Sequence, residues 1–327
     1  MIDGLALNSI VIEKDGETSR LIRCLGFPPI KFINPRPQQH CCQVFVSNYG
    51  GGLVDGDSIR MRVECLPGSR LYLGTQSSTK VYKGNGKGGC SQETVGTVHA
   101  NAMAVICPDP VVPFAGSRYR QTQTWEVHPE AELIIFDWLQ PGRAARGEVF
   151  AYSRLQSELR VTRPGGEPML SERFAMEPES QDPFRCGHFG TFRSVLGVYF
   201  IGPRALKLAE SLEAGMLALN RPAQDLRTAD PVSEKVVTVG TECNGSGAAR
   251  HIGGSVKDGA VKDVPSAARD DGREASIWVG VGGREGRSCV VRAMGAERRD
   301  LQPLHDMIFA ALSDAAWLGF NPWHRRW

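Results

Sequence analysis

The stretch NYGGGLVDGD, Asn48 to Asp57, packs four glycines and two aspartates into one connection. CQVFVSN stands before it and SIRMRVECL after it, both with apolar residues at alternate positions. That context decides the fold class. A glycine-rich phosphate cradle needs a helix behind it, because the helix N-terminus holds the anion. A strand follows here instead. The glycines therefore serve backbone shapes at positive φ and close packing inside a β structure.

The same period extends outward in both directions. LNSIVIEK, SRLYLGT, TKVYKG, AMAVICP, QTQTWEVHP, AELIIFDW and SRLQSELRV are short apolar-alternating runs bounded by Gly, Pro, Asn or Asp. They predict a mainly β fold of irregular, stacked antiparallel strands. PGSR (Pro67 to Arg70) and HPEAE (His128 to Glu132) read as hairpin-like connections. Further on, GTFRSVLGVYFIG reads as one buried strand, and EASIWVGV and SCVVRAMG as two more around GGREGR. Two α-helices are expected. The first begins at Pro203 with Leu208, Leu212, Met216 and Leu219 on one face, and Pro222 ends it. The second lies near the C-terminus, with Leu304, Ile308, Leu312 and Ala315 on one face. The chain reads as a single domain over 1–327. Residues 223–273, rich in Gly, Ala, Ser and charge, read as a flexible insertion.

The bulk numbers exclude several classes. A formal charge of +2 over 327 residues, with no basic block, argues against nucleic acid and against an electrostatic membrane anchor. No apolar run is long enough to span a bilayer, and the N-terminus lacks the features of a signal peptide. The nine cysteines are scattered, odd in number and free of any CxxC pair, which predicts free thiols and a cytoplasmic setting. Gly84, Gly86 and Gly89 satisfy GxGxxG, with Asp109 downstream, but the residues after them read as strands. Lys87 is followed by Gly, so there is no Walker A motif. Cys186 and His188 form the one close Cys/His pair, and no GxSxG marks a nucleophile.

Four further segments complete the pattern. TQSSTKVY (Thr75 to Tyr82) puts hydroxyls and an amide at a strand end. PDPVVPF (Pro108 to Phe114), RYRQ (Arg118 to Gln121) and DWLQPGRAARGE (Asp137 to Glu148) bring Pro, Gly, Asp, Arg and Glu together after apolar strands. With GGGLVDGD in front, these five motifs, in this order and spacing, resemble the urease accessory protein family UreD, also called UreH. The likeness is strong from about Val11 to Glu172 and continues more weakly through the first helix and the C-terminal segment. Residues 223–273 have no counterpart in the family pattern, and Tyr49 stands where Pro is common.

The resemblance implies a non-enzymatic scaffold of mostly β fold. It implies apo-urease and the accessory protein UreF as partners, the GTPase UreG reached through UreF, no stably bound cofactor, and Ni²⁺ in transit through an internal, hydrated route. Such a route has to attract a divalent ion without trapping it, which spaced carboxylates, hydroxyls and carbonyls do better than Cys/His clusters. Asp57, Asp109, Asp137, Glu148 and Glu172 are the candidate carboxylates, with Thr75, Ser77, Ser78 and Thr79 as hydroxyls. The structural alternative is that Asp137 pairs with Arg143 or Arg146 to fix a turn. Trp317, Phe320, Trp323 and Trp327 either form a partner surface or pack the last helix onto the sheet. Two other classes stay open from the residues alone. One is a β-scaffold hydrolase using Asp109, Asp137 or Glu148 as acid and base. The other is a ligand-binding β module without chemistry.

Overall fold

A computed structural model describes residues 7–35, 40–86, 88–185, 188–220, 277–284 and 287–322. The insertion over 223–273, Cys186, Trp323 and Trp327 lie outside the described residues. Two sheets stack face to face. The first runs, in spatial order, β14 (Pro168–Met176), β13 (Arg154–Thr162), β11 (Arg118–Val127), β8 (Cys90–Val98), β5 (Ser58–Cys65), β1 (Leu7–Asp15) and β2 (Thr18–Leu25). The second runs β16 (Ile277–Arg284), β17 (Ser288–Gly295), β15 (Ser194–Ile201), β12 (Glu132–Leu139), β9 (Met103–Cys107), β6 (Arg70–Thr75), β4 (Cys42–Asn48) and β3 (Ile30–Ile33). The short β7 (Thr79–Val81) and β10 (Val111–Pro113) attach to it.

The fold is mainly β with two helices, as the periodicity predicts, but the strand direction differs. β1, β5, β8, β11 and β13 pair in parallel, and so do β4, β6, β9 and β12. Antiparallel pairing is confined to the flanks, at β1–β2, β3–β4, β13–β14 and β12–β15–β17–β16. The cause is in the connections. PGSR carries the chain from β5 in the first sheet to β6 in the second, and HPEAE does the same from β11 to β12. Neither is a hairpin. Each strand meets its sheet neighbour one full coil later, running the same way, as in a solenoid. The backbone ladder continues around the corners: Leu66 N–H donates to Ile12 O (2.9 Å), His99 N–H to Cys65 O (3.0 Å) and His128 N–H to Val98 O (2.9 Å).

Alternation separates the two sheets. The first sheet turns Ile10, Ile12, Met61, Val63, Val98, Trp125, Leu159 and Val161 toward the second and leaves most of its other face open to solvent, β1 excepted, where Ser9 and Val11 are buried. The second sheet is covered on both faces, so β9 (MAVIC) and most of β12 (ELIIFDWL) are continuous apolar runs. Its outer face packs on α1 (Pro203–Leu217) and α2 (Gln302–Leu312), through Phe136, Trp138, Ile308, Phe309 and Leu312. α2 ends before Ala315, which is exposed. Trp317 and Phe320 pack the chain end onto this layer. Trp317 lies under the Arg204 guanidinium at 4.7 Å, and Phe320 sits edge-on to Tyr72 at 6.3 Å. No helix of the described residues is long and apolar enough to cross a membrane.

Candidate functional site

Residues of four of the motifs, together with Asn48 just before the glycine-rich one, meet at one end of the inter-sheet space. In NYGGGLVDGD, Gly50, Gly51 and Gly56 adopt positive φ. Gly52 is held for a different reason: a Cβ there would lie 2.6 Å from Lys80 O and 2.8 Å from the Tyr82 ring. That close approach lets Leu53 join β7 by two backbone bonds, Leu53 N–H to Lys80 O and Tyr82 N–H to Leu53 O. The two aspartates serve the backbone. Asp57 accepts Val54 N–H at 2.8 Å and closes its own turn. Asp55, which sequence reasoning did not single out, is buried and accepts the N–H groups of Asn85 and Gly89. It thereby clamps the GNGKGG connection, whose glycines open β8 and not a helix.

Between the sheets lies a cavity of about 50 Å³. At about 10–15 Å³ per water it holds a few water molecules. Its walls include Asn48, Thr75, Thr79, Gln92, Thr94, Asp109, Gln121, Gln123 and Asp137. The polar positions are inward ones. On β8 and β11, Gln92, Thr94, Gln121 and Gln123 replace the apolar residues that Val98, Trp125 and Val127 supply further along. On β12, Leu133 and Ile135 face the first sheet, and Asp137 is the next residue on that face.

Asp137 is half-buried by area but deep in the protein, because its open surface faces the cavity. Gln121 Nε2 donates to Oδ1 at 3.0 Å and Ser157 Oγ to Oδ2 at 2.9 Å. Burial pushes its pKa above the ordinary carboxylate range, and the two hydrogen bonds pull part of the way back. Tyr119, whose hydroxyl lies 3.4 Å from Gln121 Oε1, and Tyr199 both titrate above the ordinary phenol range, chiefly through burial. Asp109 is the second carboxylate of the cavity. Its Oδ2 accepts from Thr75 Oγ1 at 3.0 Å, while its own N–H donates back to that hydroxyl at 2.7 Å. This reciprocal pair ties the TQSSTK and PDP motifs together at the cavity wall.

The other candidates are placed elsewhere. Asp137 does not pair with Arg143 or Arg146, because its partners are Gln121 and Ser157. Arg143 instead holds Glu148 in a two-point pair, with Arg143 Nε donating to Oε2 at 2.8 Å and a second, shorter contact to Oε1. That pair, the N–H of Ala115 and the Arg143 guanidinium stacked 3.9 Å over Phe114 fix the turn. Hydrogen bonding to Arg143 holds the Glu148 carboxyl below its usual range. Glu172, on β14, pairs with Arg292 on β17 and so ties the two sheets at their edge. Glu148, Glu172 and Asp57 do not line the cavity. His188 is exposed and its Nδ1 lies 2.7 Å from Asp182 O. Among the described residues no group of three or more His, Cys, Asp or Glu side chains is placed to hold a metal ion.

The chain matches the family described as UreD urease accessory protein over residues 6–327. It belongs to that family. A urease accessory protein UreD of Sorangium cellulosum is 36% identical over 213 residues, 65% of this chain and 66% of that protein. The UreD of Cytophaga hutchinsonii is 33% identical, over 57% of this chain and 65% of its own length. Urease accessory protein D of Arabidopsis thaliana is 31% identical, over 54% and 61%. The alignments thus span 61–66% of these relatives, less than two thirds of each. Family membership puts all five motifs in one frame: they converge on the cavity and on the turns that wall it.

Proposed function

We propose that this chain is a non-catalytic scaffold of urease maturation. It bridges apo-urease and UreF, reaches the GTPase UreG through UreF, and gives nickel a hydrated path toward the urease site. The observation that carries this reading is the inter-sheet cavity, with two carboxylates among neutral oxygens, in a chain of the UreD family. Its walls offer Asp109, Asp137, Thr75, Thr79, Gln92, Gln121 and Gln123. Hard oxygen donors of low net charge suit a divalent ion that has to move on. Asp57, Glu148 and Glu172 then serve the turns and the sheet edge that keep the cavity open.

A hydrolase would use the same two carboxylates differently, but it needs room for its substrate. Ligand pockets hold roughly 300–1,000 Å³, whereas this cavity of about 50 Å³ admits water and ions only. The test is reconstitution. Apo-urease is co-expressed with its accessory proteins, with and without this chain, and nickel per active site is measured together with urease activity. A pull-down asks whether the chain recovers apo-urease and UreF together. Full nickel loading without the chain, or no ternary complex, overturns the proposal.

A further inference from the structure

The outward side of the first sheet is built from one kind of cation. Along β5, β8, β11, β13 and β14 the outward positions carry Arg60, Arg62, Arg118, Arg120, Arg154, Arg160 and Arg173. They carry no lysine. The carboxylates on this side are Glu64, Glu93, Glu126 and Glu158. Four of the arginines have local partners: Arg60 with Glu93, Arg154 with Glu177, and Arg160 and Arg173 with Glu158. Arg62, Arg118 and Arg120 make no ion pair among the described residues. Val95, 41% exposed, is directly paired with Arg62 on one side and Thr124 on the other, and Arg120 pairs with Ser91 further back along β8. No described element packs over this side, while both faces of the second sheet are covered.

We propose that this bare face docks a folded protein that presents a carboxylate-rich surface. The inference rests on the proposed function, which makes apo-urease the protein to test. An exposed apolar side chain on a face rich in arginine and without lysine fits a protein interface. The four glutamates set among the arginines argue against nucleic acid, whose phosphates are neutralised by a protein surface of unbroken positive charge. They argue equally against an anionic lipid surface. Occupation by this chain's own 223–273 segment is disfavoured by charge, since its eight acidic and seven basic residues nearly cancel.

The experiment uses the full chain, purified, with purified apo-urease as the probe and binding followed by interferometry at low and physiological salt. Arg62→Glu/Arg120→Glu should weaken binding about tenfold or more, because each reversal puts like charge against the partner. The wild type should lose affinity as salt rises. Lys207→Glu, exposed on α1, is the control and should bind as wild type does. If the charge-reversed chain melts early, Arg62→Gln/Arg120→Gln replaces it and should show a smaller loss in the same direction. A variant that binds apo-urease as tightly as wild type overturns the docking face alone. Heparin or phosphatidylserine vesicles that capture the wild type through these arginines, with apo-urease binding unaffected by the variant, overturn it too. A wild-type chain that fails to bind apo-urease removes the proposed function and the docking face with it.

Discussion

Replacing Asp137 with Asn and with Ala separates a transport role from a structural one. The Asn side chain keeps one oxygen for Gln121 Nε2, and its amide can donate to Ser157 Oγ, so both hydrogen bonds survive. The Ala side chain removes both acceptors. Gln121 Nε2 retains Ser157 Oγ at 3.2 Å, so the orphaning is partial. At about 1–3 kcal/mol for each donor left unsatisfied, Asp137→Ala should cost about 2 kcal/mol. That is about 4–8 °C in melting midpoint for a chain of this size. The charge adds a pH dependence with a definite sign. Burial raises the folded-state pKa of Asp137 above its unfolded value. A raised pKa gives stability that is present at acid pH and lost as pH rises through the folded value. Asp137→Asn lacks that loss. Relative to wild type it should gain stability on going from pH 4 to pH 8, read by differential scanning calorimetry. Nickel loading should move the opposite way. Removing one of the two carboxylates from the cavity should lower nickel per urease site at least about tenfold, since a carboxylate close to a divalent ion contributes several kcal/mol. A stable Asp137→Asn protein that loads urease at the wild-type rate refutes the transport role. A protein that is unstable at every pH refutes the reading of Asp137 as a costly buried charge.

Glu148→Gln should lower the urea midpoint at pH 7 while leaving nickel loading unchanged. Because hydrogen bonding to Arg143 lowers the Glu148 pKa, its stabilisation is present above the unfolded value and lost as pH falls through the folded one, so the difference from wild type should vanish in acid. Gly96→Ala places a methyl 2.0 Å from Trp125 Cε3 in a fully buried layer and should cost about 3 kcal/mol, seen as an early thermal transition with altered tryptophan emission. Asp55→Ala strips the acceptor from the N–H groups of Asn85 and Gly89, so limited proteolysis should cut the 83–89 connection at least several-fold faster than in wild type.

The strands were legible because burial is periodic. In the first sheet, SIRMRVEC and RYRQTQTWEV alternate with one face in the core and one in water, and that alternation is in the sequence itself. Direction was not legible. PGSR and HPEAE contain ordinary turn residues, and nothing in four or five residues says whether the chain returns beside itself or crosses to a second sheet. What would have hinted at a stack is the contrast between alternating strands and the apolar runs MAVIC and ELIIFDWL, which need cover on both faces. The helices were legible from their apolar faces, apart from their last turns: α1 ends at Leu217, before Leu219, and buries Ala205, Ala209 and Met216 most deeply, and α2 ends at Leu312, before Ala315.

The candidate site divides in the same way. Asp137 breaks an apolar run on its inward face, so one residue of sequence context flags it. Asp109 follows a buried strand and bonds the Thr75 hydroxyl, thirty-four residues earlier, a partnership only the motif pattern could suggest. Asp55 and Asp57 are indistinguishable as letters in DGD; their partners, thirty residues away or three, make one a buried clamp and the other a turn closure. Glu132, also missed, begins β12 and accepts the N–H groups of Arg204 and Ala205 at the start of α1, seventy-two residues on. Carboxylates that fill such long-range roles are satisfied by backbone donors or arginines and have little capacity left for an ion. Asp137, in the cavity wall, is held by a neutral hydroxyl and an amide, which orient it without neutralising its charge. That difference in partners, more than the number of acidic residues in any motif, is what singles out Asp137.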